Sequence, residues 1–278
     1  MKHILIPVDF SVFSENALLM ASHIARQQNA TLHIIHMIGV MGAILDREED
    51  KTSQEVIYKM EAAQKELSTF VDKEYLKDLE YNTTITKAID FEQLHTLIKD
   101  VTIDLIIMGS KGASGIKELF IGSNTEKVIR HSTIPVMVIK EKIENFTLSS
   151  VAFATDFSLY SVEAFQKAIV FFKQLHIPIT AVYVNYPNQF MSTAGLKEKI
   201  TNFKKALTKE AQTIDFSIEI INEYSVEAGV TYACEQLKID AISIATEGRK
   251  GLDHFFNHSV SEKLANHASI PVITFRLK

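Results

Sequence analysis

The 278-residue sequence predicts an α/β protein built as two tandem doubly wound domains. Three observations carry that prediction. The first is an internal repeat. Ile103-Asp104, Gly112, Gly115, Phe120, Ser123, Glu126-Lys127, His131 and Ile134-Pro135-Val136 return 136 residues later as Ile239-Asp240, Gly248, Gly251, Phe256, Ser259, Glu262-Lys263, His267 and Ile270-Pro271-Val272. The chain start returns at an offset of 147, Val8-Asp9-Phe10-Ser11 as Thr155-Asp156-Phe157-Ser158. The second is an alternation of apolar strand-like runs with helical stretches. The third is the character of those runs: Leu105-Ile106-Ile107-Met108 is apolar without period-two alternation, as in a parallel sheet covered on both faces.

The elements follow in order. The first repeat predicts strands near 3–8, 32–38, 83–87, 104–108 and 135–139, with helices near 14–28, 52–79, 91–100 and 123–131. The second predicts strands near 150–155, 179–185, 216–221, 241–245 and 271–275, with helices near 161–175, 194–212, 226–237 and 259–267. Strands and helices alternating at this spacing wind a sheet with right-handed crossovers. The offset falls from 147 to 136, so the first repeat holds about 11 extra residues, placed in the stretch 39–50. The boundaries are therefore 1–140 and 149–278, joined by a linker near 141–149.

Composition narrows the function classes. Hydrophobic residues make up 46% of the chain, enough for two cores. No apolar run reaches the roughly 18 residues of a membrane span, and the start does not read as a signal peptide. Cys234 is the one cysteine, so an internal disulfide is impossible and a reducing, cytoplasmic setting is expected. Residues 1–140 carry 15 Lys+Arg against 19 Asp+Glu, and the remainder 14 against 15. Neither half has the basic surplus of a nucleic-acid binder. Neither nucleic acid nor membrane is expected as a partner.

The most telling local feature is Gly109-x2-Gly112-x9-Gly122-Ser123, lying between a strand and a helix. Glycines admit an anion close to the backbone, and free amides at a helix start point toward it. In doubly wound sheets ligands sit beyond the carboxyl ends of strands, which is where Asp9 and Gly109 both fall. The second repeat changes Gly109 to Ala245 and Gly122 to His258, keeping Gly248 and Ser259. A histidine there fills phosphate space, so this half reads as degenerate; the rival is another anionic ligand held by Arg249, Lys250 and His258.

This glycine spacing, the Ile-Pro-Val-Asp-Phe-Ser start and Leu32-His33-Ile34-Ile35-His36-Met37 together resemble the universal stress protein family, over essentially the whole chain as a tandem pair. The resemblance implies five-stranded parallel sheets in order 3-2-1-4-5, dimer-like pairing of the domains and, in one branch, ATP binding. Carried over by position, the nucleotide residues are Asp9, Met37, Met108, Gly109, Gly112, Gly122, Ser123 and Asn124. Amides of Gly112 and of Gly122 to Asn124 take the phosphates, with the Ser123 hydroxyl; Asp9 binds the adenosine end or caps a helix; Met37 packs on adenine or in the core. Lys111 and Lys117 neutralise phosphate or are solvated. Magnesium is expected with the triphosphate, without a dedicated protein site.

Other constellations point elsewhere. His254 and His258 have metal-ligand spacing but no third or fourth ligand. His33 and His36 point to opposite faces of a strand. Cys234 reads as a packing residue. With no Gly-x-Ser-x-Gly elbow and no Gly-x4-Gly-Lys-Ser/Thr loop, no catalytic residue is assigned. The leading function is an adenine-nucleotide-binding stress or signalling protein with an unidentified protein partner. The alternatives are a slow ATPase or phosphotransferase, and a ligand-free scaffold. Homodimerisation through the last strand of either repeat is open.

Overall fold

A computed structural model describes residues 1–38, 49–87, 101–110, 122–246 and 268–277. The first domain runs β1 (His3–Val8), α1 (Val12–Gln28), β2 (Thr31–Ile38), α2 (Glu49–Phe70), β3 (Tyr81–Lys87), β4 (Leu105–Gly109), α3 (Ser123–His131) and β5 (Val136–Ile139). The second runs β6 (Val151–Ala154), α4 (Val162–Gln174), β7 (Ile179–Asn185), α5 (Thr193–Ala206), α6 (Lys209–Gln212), β8 (Ser217–Asn222), α7 (Val226–Leu237), β9 (Ala241–Thr246) and β10 (Val272–Arg276). The helices expected at 91–100 and 259–267 and the extra residues of the first repeat fall largely or wholly outside the described residues.

Each domain has the parallel order 3-2-1-4-5, and the two sheets fuse into one of ten strands, β3-β2-β1-β4-β5-β10-β9-β6-β7-β8. The seam is antiparallel, Val138 opposite Val272 and Met137 opposite Ile273. The last strands, left open above as a route to dimers, thus pair with each other inside the chain. On one face a single core runs through both domains across that seam, joining Met137 and Ile139 to Ile273 and Phe275 beneath α1, α2, α4 and α5. The opposite face holds two separate cores. Val128 of α3 closes one, over Leu5, Ile35 and Met108, and Val230 and Cys234 of α7 close the other. Cys234 is buried and its thiol is pushed up to about 12, chiefly by desolvation, as befits a packing residue.

Helix ends follow local chemistry. Ser11, Ser192 and Ser225 cap α1, α5 and α7 by accepting a backbone N–H three residues on, and Asn29 and Lys238 close α1 and α7 in the left-handed conformation. The stretch expected as one helix over 194–212 breaks at Leu207, because Thr208 caps a new helix by accepting from Ala211. The stretch expected over 52–79 ends at Phe70, followed by a 3-10 turn at Glu74–Leu76.

The repeated Ile-Asp pairs explain themselves here. Asp104 Oδ2 accepts the N–H groups of Lys2 and His3, at 2.6 and 3.0 Å. Asp240 Oδ2 accepts those of Ser149 and Ser150, both at 2.8 Å, with their hydroxyls as well. Each aspartate fastens the start of its own domain's first strand. The linker is also held, since Gln27 of α1 donates to the Leu148 carbonyl and accepts from its N–H.

Candidate functional site

The site is built at the carboxyl ends of β1, β2 and β4. β1 ends in a tight turn where Phe10 takes φ 63°, a left-handed conformation unusual for a bulky residue. Its ring stacks on His36 with centroids 4.2 Å apart, and His36 Nδ1 lies 2.9 Å from the Val8 carbonyl. Asp9 Oδ1 accepts from the Ser11 N–H (3.1 Å) and hydroxyl (2.6 Å), and Ser11 caps α1 in turn. The cap of α1 is therefore Ser11 and not Asp9, which instead holds Ser11 in place.

Across from this turn, α3 begins at Ser123. Its N-cap, Gly122, uses φ −61° and ψ 148°, and no side chain caps the helix. That backbone is open to any residue, so Gly122 is not required there by conformation. The Gly122 N–H donates to the Ser110 carbonyl at 2.7 Å, which removes it from the expected phosphate donors. An α-helix leaves its first amides without intrahelical acceptors, here those of Ser123, Asn124 and Thr125. Ser123 and Asn124 are exposed. Thr125, which sequence reasoning missed, is buried and ties α3 to β4 by donating its hydroxyl to the Gly109 carbonyl at 2.8 Å. Its place at the third helical position was the available signal.

Met37 and Met108 lie on the sheet face that α3 covers, Met108 buried and Met37 half-buried at its margin. Gly109 has a structural reason of its own. A Cβ there would come within 2.7 Å of the backbone carbon and oxygen of Phe13, in the first turn of α1. Gly112, Lys111, Lys117, His254 and His258 lie outside the described residues. His33 faces His3, with ring nitrogens 3.1 Å apart, and its pKa is lowered chiefly by burial, so the two strand histidines have separate partners.

The second domain repeats the scaffold with different contents. Asp156 accepts from the Ser158 N–H at 2.9 Å, and Phe157 has φ 54° and stacks on Tyr183, the counterpart of His36. The Tyr183 and Tyr186 phenols are pushed up by burial and then by the charge of Asp156, which places all three in one neighbourhood.

A tandem parallel sheet with these loops can be compared with known proteins. The universal stress protein family model matches residues 1–140 and again 148–276. The chain belongs to the universal stress protein family. A universal stress protein of Methanocaldococcus jannaschii is 33% identical over 162 residues, covering 51% of this chain and 96% of its own length. One from Bacillus subtilis is 32% identical over 151 residues, covering 49% and 97%. These relatives are each about one repeat long. At full length, the crystal structure of a universal stress protein from Archaeoglobus fulgidus superposes with a TM-score of 0.66 at 17% identity, covering 99% of this chain and 98% of that one, a likeness of fold.

Proposed function

We propose that this universal stress protein binds ATP in its first domain, residues 1–140, and acts as a nucleotide-dependent stress-response protein. The observation that carries the reading is the bare start of α3. A helix N-terminus with no side-chain cap, exposed Ser123 and Asn124, and amides through Thr125 that have no acceptor among the described residues stands at the carboxyl end of β4, where an anion gains both hydrogen bonds and the dipole. Asp9 lies at the carboxyl end of the neighbouring β1, suited to the adenosine end. Met37 offers a half-buried apolar surface to the base. Met108, Gly109 and Gly122 act as framework: Met108 in the core, Gly109 admitting α1, and Gly122 locking the loop to Ser110. Gly112 completes the phosphate loop in this reading, and ATP arrives with its magnesium.

The domain at 149–278 is the non-binding member of the pair. Its motif lacks two of the three glycines and has His258 in the place of Gly122. Among the described residues no helix is long and apolar enough to cross a membrane. We place the protein in the cytoplasm, acting through a protein partner.

The test is calorimetric titration of magnesium-ATP into nucleotide-stripped protein, beside Gly122→His. One site per chain, lost in the variant, is expected. Two sites would mean that the second domain binds as well. No heat, with no nucleotide released on denaturation, would leave the scaffold reading. Steady ADP release over many turnovers would make the protein an enzyme.

A further inference from the structure

The antiparallel seam inverts the second domain, so its carboxyl edge coincides with the amino edge of the first. α3 spans the sheet from one edge to the other. Its nine residues start at the proposed phosphate site and end at His131, beside β10. There Arg276 of the second domain donates from Nη1 to the His131 carbonyl at 2.6 Å. That carbonyl belongs to the last turn, whose acceptors have no intrahelical donors, and the guanidinium brings a cation to the negative end of the dipole. Arg276 is itself fixed: Lys167 of α4 donates to its carbonyl at 2.7 Å and pairs with Glu163 at 2.9 Å.

Of the residues of α3, Thr125 and Val128 are buried, and Ile129 packs with Val128 against the core beneath. Its start hangs on β4 through the Gly122 N–H and the Thr125 hydroxyl, and its end on the other domain through Arg276. The counterpart of Arg276 in the first domain is Lys140, 136 residues earlier, which donates to the Ala268 carbonyl at 2.8 Å. The two contacts form a reciprocal pair across the seam, and only the Arg276 contact reaches α3.

We propose that Arg276 is a positioning residue for the nucleotide site of the first domain: from the second domain it sets the place and polarity of the helix whose start receives the phosphates. The proposal rests on the ATP reading above. It gives the degenerate domain a role in binding without a ligand of its own.

Magnesium-ATP affinity is measured by calorimetry for the wild type, Arg276→Met, Arg276→Lys and Lys140→Met, with thermal unfolding of each. Arg276→Met is expected to bind roughly two- to fivefold more weakly, the factor of a charge at a helix end. Arg276→Lys restores most of the affinity, and Lys140→Met, which opens the same seam elsewhere, keeps wild-type affinity. Should Arg276→Met unfold early, Arg276→Gln removes the charge while keeping a donor, and its affinity decides in the same way. Equal losses in the Arg276 and Lys140 variants would mean general loosening and overturn the proposal, as would unchanged affinity in Arg276→Met. A wild type that takes up no nucleotide would sink the ATP reading first, and this proposal with it.

Discussion

The two domains share one design and differ where β4 and β9 end. In the first, Gly109 leaves room for the backbone of Phe13, and α1 begins at Val12, directly after its cap Ser11. In the second, Ala245 takes the glycine's place and Tyr160 that of Phe13, and α4 begins at Val162, the counterpart of Glu15. The serine bonds of the turn survive: Ser161 Oγ donates to the Ser158 carbonyl at 2.9 Å, as Ser14 Oγ does to that of Ser11. Only the first turn changes. The Glu15 N–H reaches the Ser11 carbonyl four residues back, whereas the Ser161 N–H reaches that of Ser158, three back. The helix start thus lies three residues later in the domain where alanine stands in place of the glycine. The lesson is that the glycine motif shapes the crevice through helix packing as well as through the room it gives a ligand.

Breaking the comparison is simplest from the crowded side. Gly109→Ala forces a Cβ against backbone and is expected to cost about 1–3 kcal/mol in denaturant unfolding. Amide exchange at Glu15 should rise as α1 loses its first turn, and unchanged stability would refute the packing account. The aspartate anchors come next. Asp240→Ala releases three donors, the Ser150 hydroxyl keeping the Lys238 carbonyl, and Asp104→Ala two, so the former should lose about 1–2 kcal/mol and the latter less. Equal losses would mean that the hydroxyl of Ser149 adds nothing.

Ala245→Gly is the mirror of the first change. Ala245 is itself buried in the core, so the change removes a packed methyl and adds backbone freedom, and it is expected to cost about 1 kcal/mol. A loss as large as that of Gly109→Ala would erase the asymmetry.

The last effect lies at the seam. Burial lowers the Lys140 pKa to about 8, so the folded chain gives up that proton before the unfolded chain does. Between pH 8 and 10.5 the unfolded state binds more protons, and stability from this group rises with pH; below 8 its contribution is flat. Stability curves of the wild type and Lys140→Met should diverge across that window. Curves that stay parallel would count against the buried amine.

Much of this was legible in the chain. The repeat offsets marked a tandem pair, which the family model matches twice, and α7 lies at Val226–Leu237, as its period predicted, because Ser225 and Lys238 punctuate it. The break at Leu207 was not legible, since Leu207 and Thr208 fit a helical period and the capping bond of Thr208 decides the matter. At the candidate site the sequence marked Gly122 as a donor, but the approach of Ser110 assigns that N–H elsewhere. Gly109 looked like a ligand residue because the neighbour it admits, Phe13, lies far away in sequence. Arg276 and Lys140 drew no notice, for their acceptors sit 145 and 128 residues away in the other repeat.

The seam also imposes a timetable on synthesis. β5 is fully buried in the finished sheet, and one of its edges is covered by β10, which ends at Arg276. On the ribosome the first domain emerges first, and at ordinary elongation rates about 7–30 s pass before β10 appears. Through that interval the nascent chain carries a bare strand of Val136, Met137, Val138 and Ile139, an apolar edge able to recruit another strand. Two nascent chains side by side on one message would offer each other the pairing that the mature protein makes with itself.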